Sequence, residues 1–310
     1  MNGSPRICVV GSANMDLIAR VPRMPRLGET LRGRSFHLVY GGKGANQAVM
    51  AAKLGARVSM VARVGLDVFG EGMIRNFDTY GIDTAHVLVD ETQSSGVAPI
   101  FVDDDAHNVI VIVPGANGAL SPADAHYARD TILTSSALVC QLEVPLETTL
   151  EAFRIAKTGS TRTILNPAPA MPLPDELLAL ADICAPNETE AELLTGRAVK
   201  SLADAEYAAR DLLKRGPQVV IVTLGERGVL YIDAKTTLHV PALKVDAVDP
   251  TGAGDAFIGG LAVYLSEGMQ MRQALQRANA VAALSVTRIG AQVSFPTRDE
   301  VDAFLEAQLV

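Results

Sequence analysis

The sequence predicts an α/β fold, a doubly wound and mostly parallel sheet with a small β-rich flap beside it. Three observations predict it. Short runs rich in Val, Ile and Leu recur between longer segments of helical spacing. Polar residues follow one run after another, at the place where open parallel sheets bind ligands. Two segments lack the rhythm altogether and alternate as hairpin-like strands do.

The expected strands are Ile7 to Val10, Val58 to Val61, Ala137 to Leu142, Thr163 to Leu165, Asp182 to Ala185 and Val219 to Leu224. Helices are expected over Ala45 to Leu54 and around Val281 to Val286, where small and apolar residues fall three and four apart. Behind the strands come Gly11-Ser12-Ala13-Asn14-Met15-Asp16, then Glu143, then Asn166, then Asn187-Glu188-Thr189-Glu190, then Gly225-Glu226-Arg227-Gly228. Any one of these reads as an ordinary loop. Five together predict one ligand-bearing rim. The segments about 17–39 and 94–114 break the pattern: the first carries Pro22, Pro25, Gly28 and Gly33, and the second reads as strand, polar turn 103–108, strand. Both are assigned to the flap, with a second copy's flap as its packing partner. No internal repeat divides the chain, and residues 1–310 are expected to form one domain.

Composition removes several functional classes. A net charge of -8 with no run of Lys or Arg argues against a nucleic-acid surface. Cys8, Cys140 and Cys184 are widely spaced, without a C-x-x-C pair, and read as buried reduced thiols. The N-terminal stretch turns polar by Gly11, too soon for a signal peptide, and no apolar run spans a membrane. A cytoplasmic setting is expected. His37, His86, His107, His126 and His239 lie outside every motif.

The stretch with the most chemistry is Asp249-Pro250-Thr251-Gly252-Ala253-Gly254-Asp255-Ala256-Phe257, which leads into an apolar helix, Phe257 to Leu265. First-turn N–H groups of a helix lack internal partners and, with the helix dipole, attract anions. Glycines let an anion come close. A carboxylate in the same turn suits a site where Asp255 takes a proton while the amides of Gly252, Ala253 and Gly254 neutralise a transferring phosphoryl group. A helix cap and a simple turn are the plain alternatives. The third glycine of G-x-G-x-x-G is absent, and Gly41-Gly42-Lys43-Gly44 lacks P-loop spacing.

Together with Gly41-Gly42-Lys43-Gly44-Ala45-Asn46-Gln47-Ala48, the 249–257 stretch resembles the PfkB family of carbohydrate kinases. The likeness runs nearly end to end, through Gln141-Leu142-Glu143, Asn166-Pro167-Ala168-Pro169, Thr223-Leu224-Gly225 and Val286 to Gln292. It implies a β-sheet lid that also clasps a homodimer. It implies a pentose held by Asn14, Asp16, Gly42, Lys43, Asn46 and Glu143, with Asp255 as base toward O5. ATP would meet Asn187, Thr223, Gly225, Glu226, Arg227, Gly228, Gly254 and Asn279, with Mg2+ near Asn187 and Glu190. A monovalent cation, K+, would sit at Asp249, Thr251, Ser285, Arg288, Gly290 and Ser294. Pro250 departs from the family, which commonly has Thr there. Ribose is expected over 2-deoxyribose because the Asn14 amide can satisfy an additional hydroxyl. A nucleoside kinase and a catalytically dead sugar sensor are the further alternatives.

Several of these residues also have plain structural readings. Lys43 could be a solvated charge, Asn46 and Gln47 could cap a helix or face water, and Asn187 with Glu190 has capping-pair spacing. Thr223 could be only a strand residue, and Arg288 could simply pair an acid.

Overall fold

The computed structural model describes residues 3–105 and 107–308; Ala106, which the sequence placed in the polar turn of the flap, lies outside the described residues. Among the described residues thirteen strands follow one another as β1 (Arg6–Val10), β2 (Asn14–Arg20), β3 (Ser35–Gly41), β4 (Arg57–Gly65), β5 (Asp83–Asp90), β6 (Gly96–Val102), β7 (Asn108–Ile110), β8 (Ala137–Cys140), β9 (Arg162–Leu165), β10 (Ile183–Cys184), β11 (Val219–Thr223), β12 (Val229–Ile232) and β13 (Thr237–Val240). The α-helices are α1 (Lys43–Lys53), α2 (Val68–Thr79), α3 (Pro122–Tyr127), α4 (Arg129–Thr134), α5 (Leu146–Lys157), α6 (Asp175–Leu180), α7 (Glu188–Thr195), α8 (Leu202–Leu213), α9 (Ala253–Ser266), α10 (Met271–Ser285) and α11 (Arg298–Ala307).

Nine strands form the large sheet in the order β13-β12-β11-β10-β9-β8-β1-β4-β5. The pairs from β11 to β5 are parallel, and β12 and β13 add an antiparallel edge. Along β1, Ile7 and Val9 enter one core and Cys8 and Val10 the other, so both faces of the strand are covered. That is why β1 reads as an unbroken apolar run rather than an alternating one. Helices α1, α9 and α10 pack on the first face, α5 and α8 on the second. Each large side chain so buried contributes roughly 1.5–3 kcal/mol.

Chain order reverses between β1 and β8, because β4 and β5 build outward on one side and β8 to β11 on the other. The crevice at the carboxyl ends of these two strands is the topological switch point, where doubly wound sheets bind ligands. Gly11 to Asp16 and Gln141 to Glu143 leave the sheet there.

The second sheet runs β3-β2-β6-β7, with antiparallel outer pairs and a parallel β2–β6 pair at its centre. Asn14 pairs with both Gly41 and Gly96, so β2, β3 and β6 all root at the switch point. The expected boundaries shift here: β2 begins at Asn14 and β3 runs to Gly41, while 21–34 is mostly irregular. The strand read over Val109 to Val113 is regular only to Ile110, after which Val113 makes a single bridge to Val97. Other boundaries move by a few residues. β8 stops at Cys140, which releases Gln141 to point a polar side chain inward; β10 is only Ile183–Cys184; and α10 ends at Ser285, before Val286. Strands β5, β12 and β13 lie outside the expected set; β5, an edge strand, mixes Asp83, Thr84, His86 and Asp90 with its apolar residues.

The three cysteines are buried and free, and burial pushes the thiols of Cys8 and Cys184 up to about 12. No helix among the described residues is long and apolar enough to cross a membrane.

Candidate active site

A cleft of about 180 Å3 opens at the carboxyl rim, lined among others by Lys43, Asn187, Glu190, Thr223, Gly252 and Asp255. The glycine-rich turn enters α9 through Gly252, whose φ of 78° is left-handed and whose missing Cβ would sit 2.9 Å from that of Ala291. Both facts require glycine. Ala253 N–H donates to the Pro250 carbonyl at 3.2 Å, and the first helical bond from Ala256 to Gly252 is 2.8 Å. The N–H groups of Gly252, Gly254 and Asp255 have no hydrogen-bond partner among the described residues. These, rather than that of Ala253, are the amides offered to an anion.

Asp255 is 7% exposed. Its Oδ2 accepts from Asn46 Nδ2 at 2.9 Å and its Oδ1 from Gln47 Nε2 at 2.9 Å. Asn46 and Gln47 therefore neither cap α1 nor face water, because the helix turns them inward against α9. Burial pushes the Asp255 carboxyl up; nearby Lys43 and the two amides pull it back without cancelling the rise. For the Lys43 ammonium, burial works in the lowering direction, but Asp255, Glu143 and Glu190 outweigh it and hold the pKa above the ordinary lysine value. Lys43 is thus a cleft charge.

On the switch-point side, Glu143 Oε2 accepts from Ser12 Oγ at 2.6 Å and from the Lys43 backbone N–H at 2.9 Å. The rest of its carboxylate remains available. A Cβ on Gly41 would lie 2.4 Å from Asp16 Oδ2, so glycine gives that carboxylate its place. Burial, then the Glu143 charge, raise Asp16 to about 7. Asn14 is buried, and its Oδ1 accepts from Asn117 Nδ2 at 2.7 Å. Asn117 also brackets the Ala13 backbone, accepting from its N–H and donating to its carbonyl. The Asn14 amide nitrogen has no partner among the described residues and is left as a donor. Gly42 is the N-cap of α1 and joins these residues to Lys43.

Across the cleft, Asn187 caps α7 in a full capping box: Asn187 Oδ1 accepts from Glu190 N–H, and Glu190 accepts from the Asn187 backbone and side chain. The capping reading and a cleft position are both true of this pair. Glu190 is raised to about 7 by burial, opposed by Asn187 and Lys43 and assisted by Asp255. Thr223 ends β11 at the cleft, and Gly225–Arg227 is a 3-10 turn beyond it. Arg227 pairs with Glu188. Glu226 lies on the exposed turn. Gly228 closes that turn with φ 88°. Asn279 donates to the carbonyls of Val240 and Pro241 at 3.2 Å, tying α10 to the end of β13.

The loops proposed for a monovalent cation meet. Asp249 accepts from Thr251 Oγ1 and N–H through Oδ1 and from Gly290 N–H through Oδ2, at 2.6 to 2.9 Å. Burial raises its carboxyl, but these bonds outweigh it and the net shift is downward. The hydroxyls of Ser285 and Ser294 turn back to nearby carbonyls, and Arg288 pairs with Glu300, so its guanidinium is committed to a structural ion pair. Four of the five histidines outside the motifs have partners away from the cleft: His86 with Thr131, His107 with Asp103, His126 with Glu151 and His239 with the Arg227 carbonyl.

Three side chains of the site carried no sequence signal of their own. Asn117 sits in a glycine-rich stretch that reads as a loop, and Gln141 and Gln292 are single amides whose partners lie 94 and 246 residues away. Only their place inside quoted motifs could have pointed to the last two.

The pfkB family carbohydrate kinase model matches residues 4–298. The chain is 44% identical to the deoxyribokinase of Salmonella typhi over 300 residues, 96% of this chain and 98% of that one. It is 42% identical to the ribokinase of Haemophilus influenzae, covering 97% and 98%. A structure of Arabidopsis thaliana ribokinase complexed with ribose and ATP superposes with a TM-score of 0.92, at 31% identity and 97% and 99% coverage. A buried carboxylate in the first turn of a helix whose entrance amides lack partners, over a sheet of this winding and across a match of this length, assigns the chain to the PfkB family of carbohydrate kinases, enzymes that transfer a phosphoryl group to a sugar hydroxyl.

Proposed function

We propose that this kinase phosphorylates D-ribose at O5 with ATP, giving ribose 5-phosphate and ADP. One observation carries the reading: Asp255 and the unpaired N–H groups of Gly252 and Gly254 lie at one corner of the cleft. In the step, the O5 proton passes to Asp255 while O5 bonds to the γ-phosphorus and the bond to the β-bridging oxygen breaks. The freed electron pair stays on ADP. The amides at the head of α9 neutralise charge on the transferring group.

Asn14, Asp16, Gly42, Lys43, Asn46 and Glu143 would hold the sugar, and Asn187, Thr223 and Gly225 to Gly228 the nucleotide, with Asn279 bracing the nucleotide side. The oxygen donors of Glu190 and Asn187 fit a hydrated Mg2+, which supplies charge neutralisation on the phosphates when bound. Hard oxygens also dominate where the 249–251 and 285–294 loops meet, which fits K+. The four-stranded sheet, from segments about 17–39 and 94–114, would close over the sugar and exclude water. Phe36 and Leu38 on β3 and Val109 to Val113 around β7 are 43% to 60% exposed, an apolar face suited to a second copy.

The choice of ribose rests on Asn14. Asn117 engages its oxygen and leaves its NH2 free to donate, so an apolar-sized gap is not what a 2-deoxy sugar would meet. The second reading is 2-deoxyribose, favoured by the 44% relative of that name. ADP release with ribose, 2-deoxyribose, fructose and adenosine, with and without K+, separates them. The expected order has ribose highest in kcat/KM; a preference for 2-deoxyribose replaces the first reading by the second.

A further inference from the structure

The two carboxamides that touch Asp255 are themselves held by other carboxamides. On one side Gln292 Nε2 donates to Asn46 Oδ1 at 3.0 Å, and Asn76 Nδ2 donates to Gln292 Oε1 at 2.8 Å. On the other, Gln141 Nε2 donates to Gln47 Oε1 at 2.6 Å, while Gln47 Nε2 is shared between Asp255 and Asn166 Oδ1. Gln292, Asn46, Gln47 and Gln141 are 2%, 6%, 1% and 1% exposed, so bulk water does not serve these bonds.

A carboxamide can turn over about its last bond with almost no change of shape, exchanging a donor for an acceptor. An ionised carboxylate only accepts. Asp255 therefore dictates the polarity of the whole chain: Asn46 must present NH2 to it, which turns the Asn46 oxygen to Gln292. Gln292 must then donate, which turns its oxygen to Asn76. Were Asn46 reversed, two oxygens would confront each other in a buried site, where an unpaired or repelled charge is costly.

We infer that Gln292, on the loop before α11, is a positioning residue for the transfer step: by donating to Asn46 it fixes that amide with its NH2 toward Asp255. It touches neither reactant. Its effect is the aim of the carboxylate, held from two helices and a loop instead of by its own rotamer alone. The inference rests on the reading of Asp255 as the base.

The test is Gln292→Glu against Gln292→Met. Glutamate keeps the shape but offers Asn46 an oxygen, so Asn46 reverses and sets its own oxygen against Asp255. Methionine keeps the length and offers nothing. A polarity role expects kcat to fall about 10–100-fold in Gln292→Glu and less than about 10-fold in Gln292→Met, the KM for ATP staying near wild type. A space-filling role expects the reverse order, because glutamate is the closer isostere; that order, or both variants within about 2-fold of wild type, overturns the inference. The side-chain NH2 resonances of Asn46, identified by their loss in Asn46→Asp, give a readout independent of turnover. They are expected to move in Gln292→Glu, and unmoved resonances also overturn it. Undiminished turnover in Asp255→Asn would instead bring down the base reading, and the positioning role with it.

Discussion

The two halves of the candidate site are built from different materials. At the head of α9 the corner proposed for the phosphoryl group is backbone: three N–H groups left without partners among the described residues, and glycines that keep side chains away. At the switch point between β1 and β8 the end proposed for the acceptor is side chain: Asn14 and Glu143, each accepting a hydrogen bond from a neighbour, and Asp16, given room by Gly41. The difference follows from the ligands. A phosphoryl group is the same in every nucleotide and is served by a fixed array of amides, whereas a sugar is told from its relatives by hydroxyls that need individually placed donors and acceptors. Asp255 belongs to both ends, and its replacement gives the largest expected effect. Asp255→Asn should lower kcat by about 10²–10⁴-fold, the range for loss of a general base, with far smaller change in the KM for ATP. Single-turnover phosphorylation rates check it.

Next in size is specificity, which tests the side-chain end alone. Asn14→Met should reduce kcat/KM for ribose relative to 2-deoxyribose by about 10–100-fold, since a donor matched to a hydroxyl is lost and an apolar contact takes its place. Competition between the two sugars reads the ratio directly. A smaller effect tests the backbone end. A Cβ at Gly254 meets nothing within 4 Å in the protein, so Gly254→Ala should leave the melting temperature within about 2 °C. A fall of about 10-fold in kcat would then report the approach of nucleotide to that face, and unchanged kcat would remove Gly254 from the phosphoryl corner.

What the sequence disclosed divides along the same line. The strands of the parallel sheet were legible because burial on both faces leaves unbroken apolar runs, and the rim was legible because each run ends in a polar residue. The glycine turn was legible because its chemistry is local: Gly252, Gly254 and Asp255 fall within four residues. Edge strands β5 and β13 were not, since half-exposed strands share their pattern with loops, and buried β12 is a run of only four residues between two turns. The amides behind the site were the least legible. Gln47 looked like a helix cap, and Asn117 like a loop residue, because what gives each its meaning is a partner about 100 or more residues away that only the fold supplies. Polarity in a hydrogen-bonded chain is a property of the assembled site and leaves no local pattern.

The smallest effect expected is on stability, and its sign is unusual. Most carboxylates stabilise a folded protein because their pKa falls on folding. Asp16 does the opposite: burial, then Glu143, raise it to about 7, so in the sugar-free protein it binds its proton more tightly than in the unfolded chain. Below the unfolded value near 3.8 both states are protonated and the site is neutral in its effect. As pH rises toward 7 the unfolded chain loses the proton first, the folded state is left binding more protons, and stability declines until the folded group also ionises. Asp16→Asn removes this penalty. The sugar-free variant should therefore be more stable than wild type by about 1–2 kcal/mol at pH 8, and the gain should vanish below pH 4, while ribose affinity is lost. Denaturant midpoints at the two pH values measure it. An equal gain at both would mean that Asn merely packs better beside Gly41, and that the acceptor end carries no stored electrostatic strain for the sugar's hydroxyls to relieve.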